Sequence, residues 1–311
     1  MQELGSRGIA DNRDDMLEIE RINAAFTKWM QVIDMNLGVR GHDFQKRPLD
    51  ELAKVIADSG LNCVQLVLKK SLDVNTDLGS LSPGFAHHIR KAFSAENIEI
   101  AVLGCYFNMI HPDQTERRYG IERFKEHIRY ARDFGCSIVA SETGNVNAEI
   151  FYTEENFKEE PFQEVVTSVR ELVEEAEKFG VIVGIEAGVN HPVYSPKTLK
   201  RLLDSVPSNN LQVIFDPVNF LTIDNYQHQE DVFLEALELF GDRIAVFHAK
   251  DFIVEGDRVV TTAVGKGLLN YDFLFPLVKA KKPYIQIIME ETEEPFIEGS
   301  LMYLREKYEQ A

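Results

Sequence analysis

Four apolar, strand-like runs each carry an ionisable residue toward their end: Glu186 in VIVGIEAG, Asp216 in LQVIFDP, His248 in IAVFHAK and Glu290 in YIQIIMEE. An ionised carboxylate buried without a partner costs several kcal/mol, so repeated carboxylates in such runs point to convergence on one cation or on one another. Three carboxylates and one imidazole offer hard oxygens and a borderline nitrogen. That set suits one divalent ion (Mn, Zn, Mg or Co) and not a soft, thiolate-seeking metal. Singly, some of these residues have ordinary explanations: Asp216 precedes Pro217 and begins a turn, and His248 is compatible with a satisfied core histidine. Neither explanation covers Glu186 and Glu290. Strand alternation sends Glu290 and Glu291 to opposite sides, and Glu290 is the one that continues the buried run.

These residues need a scaffold. Apolar segments at 36–44, 62–68, 99–108, 137–144, 182–188, 211–219, 244–252 and 284–292 read as eight strands. Between them lie stretches of helical periodicity, among them LDELAKVIADSG, FKEHIRYARDFG, VTSVRELVEEAEKFG and VFLEALELFG, each ending in a glycine suited to a helix C-terminus. Continuous apolar strands alternating with amphipathic helices predict a parallel sheet covered by helices. Eight such units over about 275 residues fit a (β/α)8 TIM barrel, with a doubly wound sheet as the alternative. The expected organisation is a partly helical N-terminal extension, 1–35, followed by one barrel domain, 36–311. In such a barrel the active site forms at the C-terminal strand ends, where all four candidate ligands fall.

Composition narrows the function. The formal net charge is −18, and no basic run offsets it, so nucleic acid and anionic membrane are not expected partners. Cys63, Cys105 and Cys136 are widely spaced, lie in or beside apolar runs and form no CxxC pattern, which suits a reducing compartment. The leader lacks a secretory signal pattern, and nothing approaches the ~18 consecutive apolar residues of a membrane span. A cytoplasmic location is expected.

Other polar residues at strand ends could line a polyol pocket: His42, Asn108, His111, Glu142, His191, Asn219, Lys250 and Asp251. Each also has a structural explanation, since His111 before Pro112 could organise a loop, Glu142 could cap a helix and Asp251 could pair with a cation. The segment VGKGLLNYD, 264–272, could cradle a phosphate through Gly265, Lys266 and Gly267. A glycine turn before a helix capped by Asn270 is the preferred reading, so a free sugar or polyol is favoured over a sugar phosphate.

The order Glu, Asp, His, Glu at strands five to eight, together with RGHDF, VQLVLKK, ERFKEHIRYARDFG, SETG, VIFDPVNFL, FHAKDF and VGKGLLNYDF, resembles the sugar phosphate isomerase/epimerase superfamily of xylose isomerase-like TIM barrels. The resemblance implies that Glu186, Asp216, His248 and Glu290 hold the metal and that Glu186 and Glu290 form the acid/base pair. It also implies substrate contacts near His191 and Lys250 and assembly as a homodimer or homotetramer. The implied activity is metal-dependent sugar isomerisation or epimerisation through an enediolate. An inosose-type dehydratase uses similar chemistry and is the alternative. An endonuclease-IV-like nuclease fits less well, because Asn219 stands where that enzyme carries a His and VQLVLKK ends without one. A non-catalytic sugar-binding barrel leaves the ligand set without a purpose.

Overall fold

Strands buried on both faces require apolar side chains at almost every position, and that requirement turns the apolar runs into a closed parallel sheet. The computed structural model describes residues 35–311; the helix expected within the N-terminal extension lies outside the described residues. The barrel strands are β1 (Asn36–Arg40), β2 (Cys63–Leu66), β3 (Glu99–Gly104), β4 (Ile138–Glu142), β5 (Ile182–Glu186), β6 (Leu211–Phe215) and β7 (Ile244–Ala249). A hairpin, β8 (Asp251–Glu255) and β9 (Arg258–Thr262), follows, and β10 (Gln286–Met289) closes the barrel between β7 and β1. All barrel pairings are parallel. The expected (β/α)8 fold is thus present, and closure removes the doubly wound alternative.

The longer helices are α1 (Leu49–Asp58), α2 (Pro83–Ala95), α3 (Gln114–Tyr130), α4 (Glu159–Phe179), α5 (Pro196–Ser205), α6 (Gln229–Phe240), α7 (Tyr271–Lys281) and α8 (Ile297–Gln310), and a single helical turn, Leu68–Ser71, follows β2. α4 shows how they are specified. Val165, Val169, Leu172, Val173 and Ala176 recur at three- and four-residue steps and are buried. The helix ends where Gly180 takes a left-handed φ of 62° and its N–H bonds the Ala176 carbonyl. α5 begins at a capping box between Ser195 and Thr198, with Pro196 in the first turn.

The hairpin is an addition to the expected elements. The run read as one strand to residue 252 leaves the barrel after Ala249, and Asp251–Glu255 instead pairs antiparallel with Arg258–Thr262. Gly256, with φ 62°, makes the turn between the arms.

Inside the barrel a small apolar cluster of Cys63, Ala101, Val102, Ile138, Ala140, Ile214, Val246 and Ile288 stands apart from the large core between sheet and helices. Gly38 and Gly184 complete this inner layer. A Cβ at Gly38 would collide with Cys63, and one at Gly184 would press on Ile138 and Ile214. Alternation along each strand then dictates what stands one layer higher, at the C-terminal mouth.

Candidate metal centre

On seven of the eight barrel strands a polar side chain stands two residues beyond an inner-layer position. Gly38 leads to Arg40, Cys63 to Gln65, Ala140 to Glu142, Gly184 to Glu186, Ile214 to Asp216, Val246 to His248 and Ile288 to Glu290. On β3, Val102 leads through Gly104 to Tyr106. Each of the eight strands therefore contributes one polar group to a ring at the mouth, the end at which barrels of this type carry their chemistry.

Within that ring Glu186, Asp216, His248 and Glu290 are buried, and one donor atom from each lies within 4.8 Å of the others. Three of these candidate ligands are anchored from behind. Asp216 Oδ1 accepts the N–H groups of Val218 at 2.9 Å and Asn219 at 3.2 Å, while Oδ2 faces the cluster. Glu290 Oε1 is held by Arg40 Nη1 at 2.8 Å, and Oε2 faces His248. His248 Nε2 lies 2.9 Å from Gln65 Oε1, and the Gln65 amide is oriented in turn by its Nε2 donating to Tyr106 Oη at 2.9 Å. The network therefore assigns the proton to Nε2 and leaves Nδ1 directed at the carboxylates, as a metal-binding histidine requires.

Whether these residues fit a cation can be judged from what they leave unsatisfied. Asp216 Oδ2, His248 Nδ1 and Glu290 Oε2 are buried and have no hydrogen-bond partner. Their ionic contacts, Lys250 Nζ to Asp216 Oδ2 and His248 Nδ1 to Glu290 Oε2, both 2.7 Å, lie off the hydrogen-bonding directions. Three converging, unsatisfied donor atoms of carboxylate and imidazole type form a site that can hold a divalent metal ion.

The electrostatics separate the two glutamates. Burial opposes charge on Glu290, but Lys250, His248 and Arg40 outweigh it and hold its carboxyl well below the usual range. Among the described residues Glu186 accepts hydrogen bonds from neutral donors, Asn219 Nδ2 at 2.8 Å and Tyr106 Oη at 3.3 Å, with His248 Nδ1 farther off at 3.6 Å. Burial and the nearby Glu290 charge raise its proton affinity. Burial also raises Asp216 despite Lys250. Burial disfavours the His248 imidazolium, yet Glu186 and Glu290 prevail and push it up to about 10.

The remaining sequence candidates divide. Glu142, His191 and Asn219 line one pocket of about 160 Å³ with Asn190, Val218 and Val259 of the hairpin. His191 is buried, with Nδ1 2.8 Å from the Gly144 carbonyl and Nε2 3.5 Å from Glu142. Asn219 bridges Glu186 and Lys250, whose Nζ lies 3.0 Å from Asn219 Oδ1 and 3.3 Å from Glu290 Oε1. His42 follows Arg40, and burial, Arg40 and Lys70 push its pKa down to about 3, so its imidazole is neutral there. His111 makes no contact with the cluster among the described residues; its Nδ1 accepts the Asp113 N–H at 3.1 Å and organises the loop around Pro112. Asp251 accepts from the N–H groups of Phe252, Leu269, Gly265 and Gly267 at 2.8–3.0 Å, so the glycine loop considered as a phosphate cradle encloses the chain's own carboxylate. Asn270 caps α7 as expected.

Sequence reasoning did not single out Arg40, Gln65 or Tyr106. The signal was available: the two-residue inward period that marks Glu186 and Glu290 also selects Arg40 in NLGVR and Gln65 in CVQL.

A closed parallel barrel with buried carboxylates and an imidazole at its C-terminal mouth defines a TIM barrel whose mouth could hold a metal ion. The chain belongs to the xylose isomerase-like TIM barrel family, whose model matches residues 53–307. It is 23% identical to the uncharacterized protein MJ1311 of Methanocaldococcus jannaschii over 253 residues, 79% of each chain. Its fold resembles the apo form of the 3-keto-D-glucoside 4-epimerase YcjR of E. coli, with a TM-score of 0.69, 17% identity and coverage of 88% of this chain and 100% of that one. It also resembles the probable 3-DHS dehydratase AsbF of Bacillus anthracis, with a TM-score of 0.68, 14% identity and coverage of 87% and 99%. No described helix is long and apolar enough to cross a membrane.

Proposed function

We propose that this chain is a divalent-metal-dependent isomerase or epimerase that moves a proton at the carbon beside the carbonyl of a sugar or polyol. The observation that carries this reading is the pairing of two glutamates of opposite electrostatic character on one buried cluster. Glu186, Asp216, His248 and Glu290 would hold the ion. When bound, it supplies positive charge beside the substrate carbonyl, which acidifies the neighbouring C–H.

The chain's own groups do the rest. Glu186 accepts the proton, because its surroundings raise its proton affinity and its two hydrogen bonds come from neutral donors. Tyr106 and Asn219 fix the direction of its carboxylate. Arg40 and Lys250 keep Glu290 ionised and immobile. Isomerisation follows when Glu186 returns the proton to the adjacent carbon and the proton of the neighbouring hydroxyl passes to the former carbonyl oxygen. Epimerisation requires a protonated donor on the other face, a role that the ionised Glu290 does not fill, so the electrostatics favour isomerisation. The pocket of Glu142, His191 and Asn219 offers donors and acceptors for substrate hydroxyls.

The test is incubation in D2O with a panel of ketoses, aldoses and inososes, on protein whose metal content has been measured. Deuterium entering at carbon without loss of water, together with about one divalent ion per chain and loss of exchange on chelation, is the expected result. No exchange with any member after metal is restored would sink the proposal, and an absorbing enone product would replace it with a dehydratase.

A further inference from the structure

Beside the carboxylate ring, at the same end of the barrel, lies a second pocket of about 210 Å³, lined by Lys69, Lys70, Thr76, Tyr106, Arg123 and His127 with apolar residues of β2 and β3. Its charge is of one sign. No carboxylate lines it, and among the described residues Lys69, Lys70 and Arg123 take part in no ion pair, on a chain whose net charge is −18. The Arg123 guanidinium spends one N–H on the Tyr106 carbonyl at 2.9 Å, and its Nε is buried without a hydrogen-bond partner. Thr76 and His127 are also buried, at 6% and 3% exposure, so the pocket has polar walls as well as charged lips. Burial and Arg123 push His127 down to about 4, which leaves a neutral imidazole there at pH 7.

Tyr106 joins the two pockets. Lys70 Nζ stands 5.6 Å from the centre of its ring, and its hydroxyl reaches Glu186 at 3.3 Å. The glycine loop after β7 offers no competing anion site, because Asp251 consumes its N–H donors.

We propose that the pocket of Lys69, Lys70, Thr76 and Arg123 is a phosphate-binding site, separated from the carboxylate cluster by the Tyr106 side chain. Two lysines and a guanidinium around a semi-enclosed, carboxylate-free space match the charge and hydrogen-bonding needs of a phosphate group. Phosphate binding itself does not depend on the proposed proton transfer, whereas delivery of the group by a phosphorylated sugar does.

The experiment is a calorimetric titration of full-length protein with inorganic phosphate at constant ionic strength. Saturable binding that weakens about tenfold or more in Lys69→Ala/Lys70→Ala, and is unchanged in Lys266→Ala, is expected from the loss of charge-assisted contacts. Both lysines are exposed, so the double variant leaves the core intact. Absence of saturable binding, or equal binding by the double variant, overturns the site. Deuterium exchange then identifies the source. A KM increase in the double variant confined to phosphorylated ketoses assigns the group to substrate, while an effect of added inorganic phosphate on exchange of free ketoses, lost in the double variant, assigns it to a separate ligand. Saturable, lysine-dependent phosphate binding with no exchange of any sugar would retain the site and remove the isomerase reading.

Discussion

Glu186 and Glu290 are the same residue type, both buried at the barrel mouth, yet the walls that carry them differ. Glu290 stands on the β10 side among three cationic or protonatable groups, Arg40 at 2.8 Å, His248 at 2.7 Å and Lys250 at 3.3 Å. Glu186, on β5, meets an amide, a phenol and only at 3.6 Å the imidazole. The contrast shows how one barrel can divide labour between identical side chains: a carboxylate held by three cationic groups is a fixed anion, and one hydrogen-bonded by neutral donors beside a second carboxylate can exchange a proton.

The sharpest way to break this comparison is to neutralise each glutamate in turn. Glu186→Gln is expected to lower substrate deuterium exchange about a hundred- to ten-thousand-fold, the usual worth of a general base, while most of the metal affinity remains. Glu290→Gln leaves Arg40 and Lys250 facing an amide, and exchange and metal affinity should fall together. Metal content and exchange rate measured on both variants decide the matter. Parallel loss of both properties in Glu186→Gln would make the two walls equivalent.

A smaller effect tests the support behind the ring. Gln65→Leu removes the acceptor that fixes the His248 tautomer, and metal affinity is expected to fall about ten- to a hundredfold, as for outer partners of metal ligands generally. Equal affinity in this variant would mean that packing alone orients the imidazole.

Gln65 also shows where sequence legibility ended. The eight strands, the barrel and the five ring members on β4, β5, β6, β7 and β10 are written locally, as apolar runs that stop at a polar residue. Arg40, Gln65 and Tyr106 are equally inward, but their meaning lies in partners such as Glu290, 250 residues from Arg40, and His248, 183 from Gln65. Spacing along a strand says which way a side chain points; only closure of the barrel says what it meets. The hairpin was hidden for a related reason. Residues 244–252 read as one apolar run, and the break after Ala249 accompanies Asp251's bonds to a loop more than ten residues downstream.

The smallest expected effect concerns the pair beside Glu186. Burial disfavours a charged His191, but Glu142 at 3.5 Å and the Gly144 carbonyl more than compensate, so its pKa lies above the ordinary 6.5. A histidine whose folded pKa is raised contributes stability that is fully present below the unfolded value and is lost as pH climbs through the folded one. Unfolding measured by denaturant should therefore show this contribution in full below about pH 6.5 and its loss as pH rises through the higher folded value. Glu142 is 36% exposed, so solvent screening limits the contribution to under about 1 kcal/mol. Glu142→Gln should flatten that segment of the stability profile, and an unchanged profile would mean that the Gly144 carbonyl, not the carboxylate, sets the charge of His191. The distinction bears on the two walls directly: after burial and Glu290, the Glu142 charge is among the influences that raise the proton affinity of Glu186, so Glu142→Gln should leave that glutamate a weaker proton acceptor.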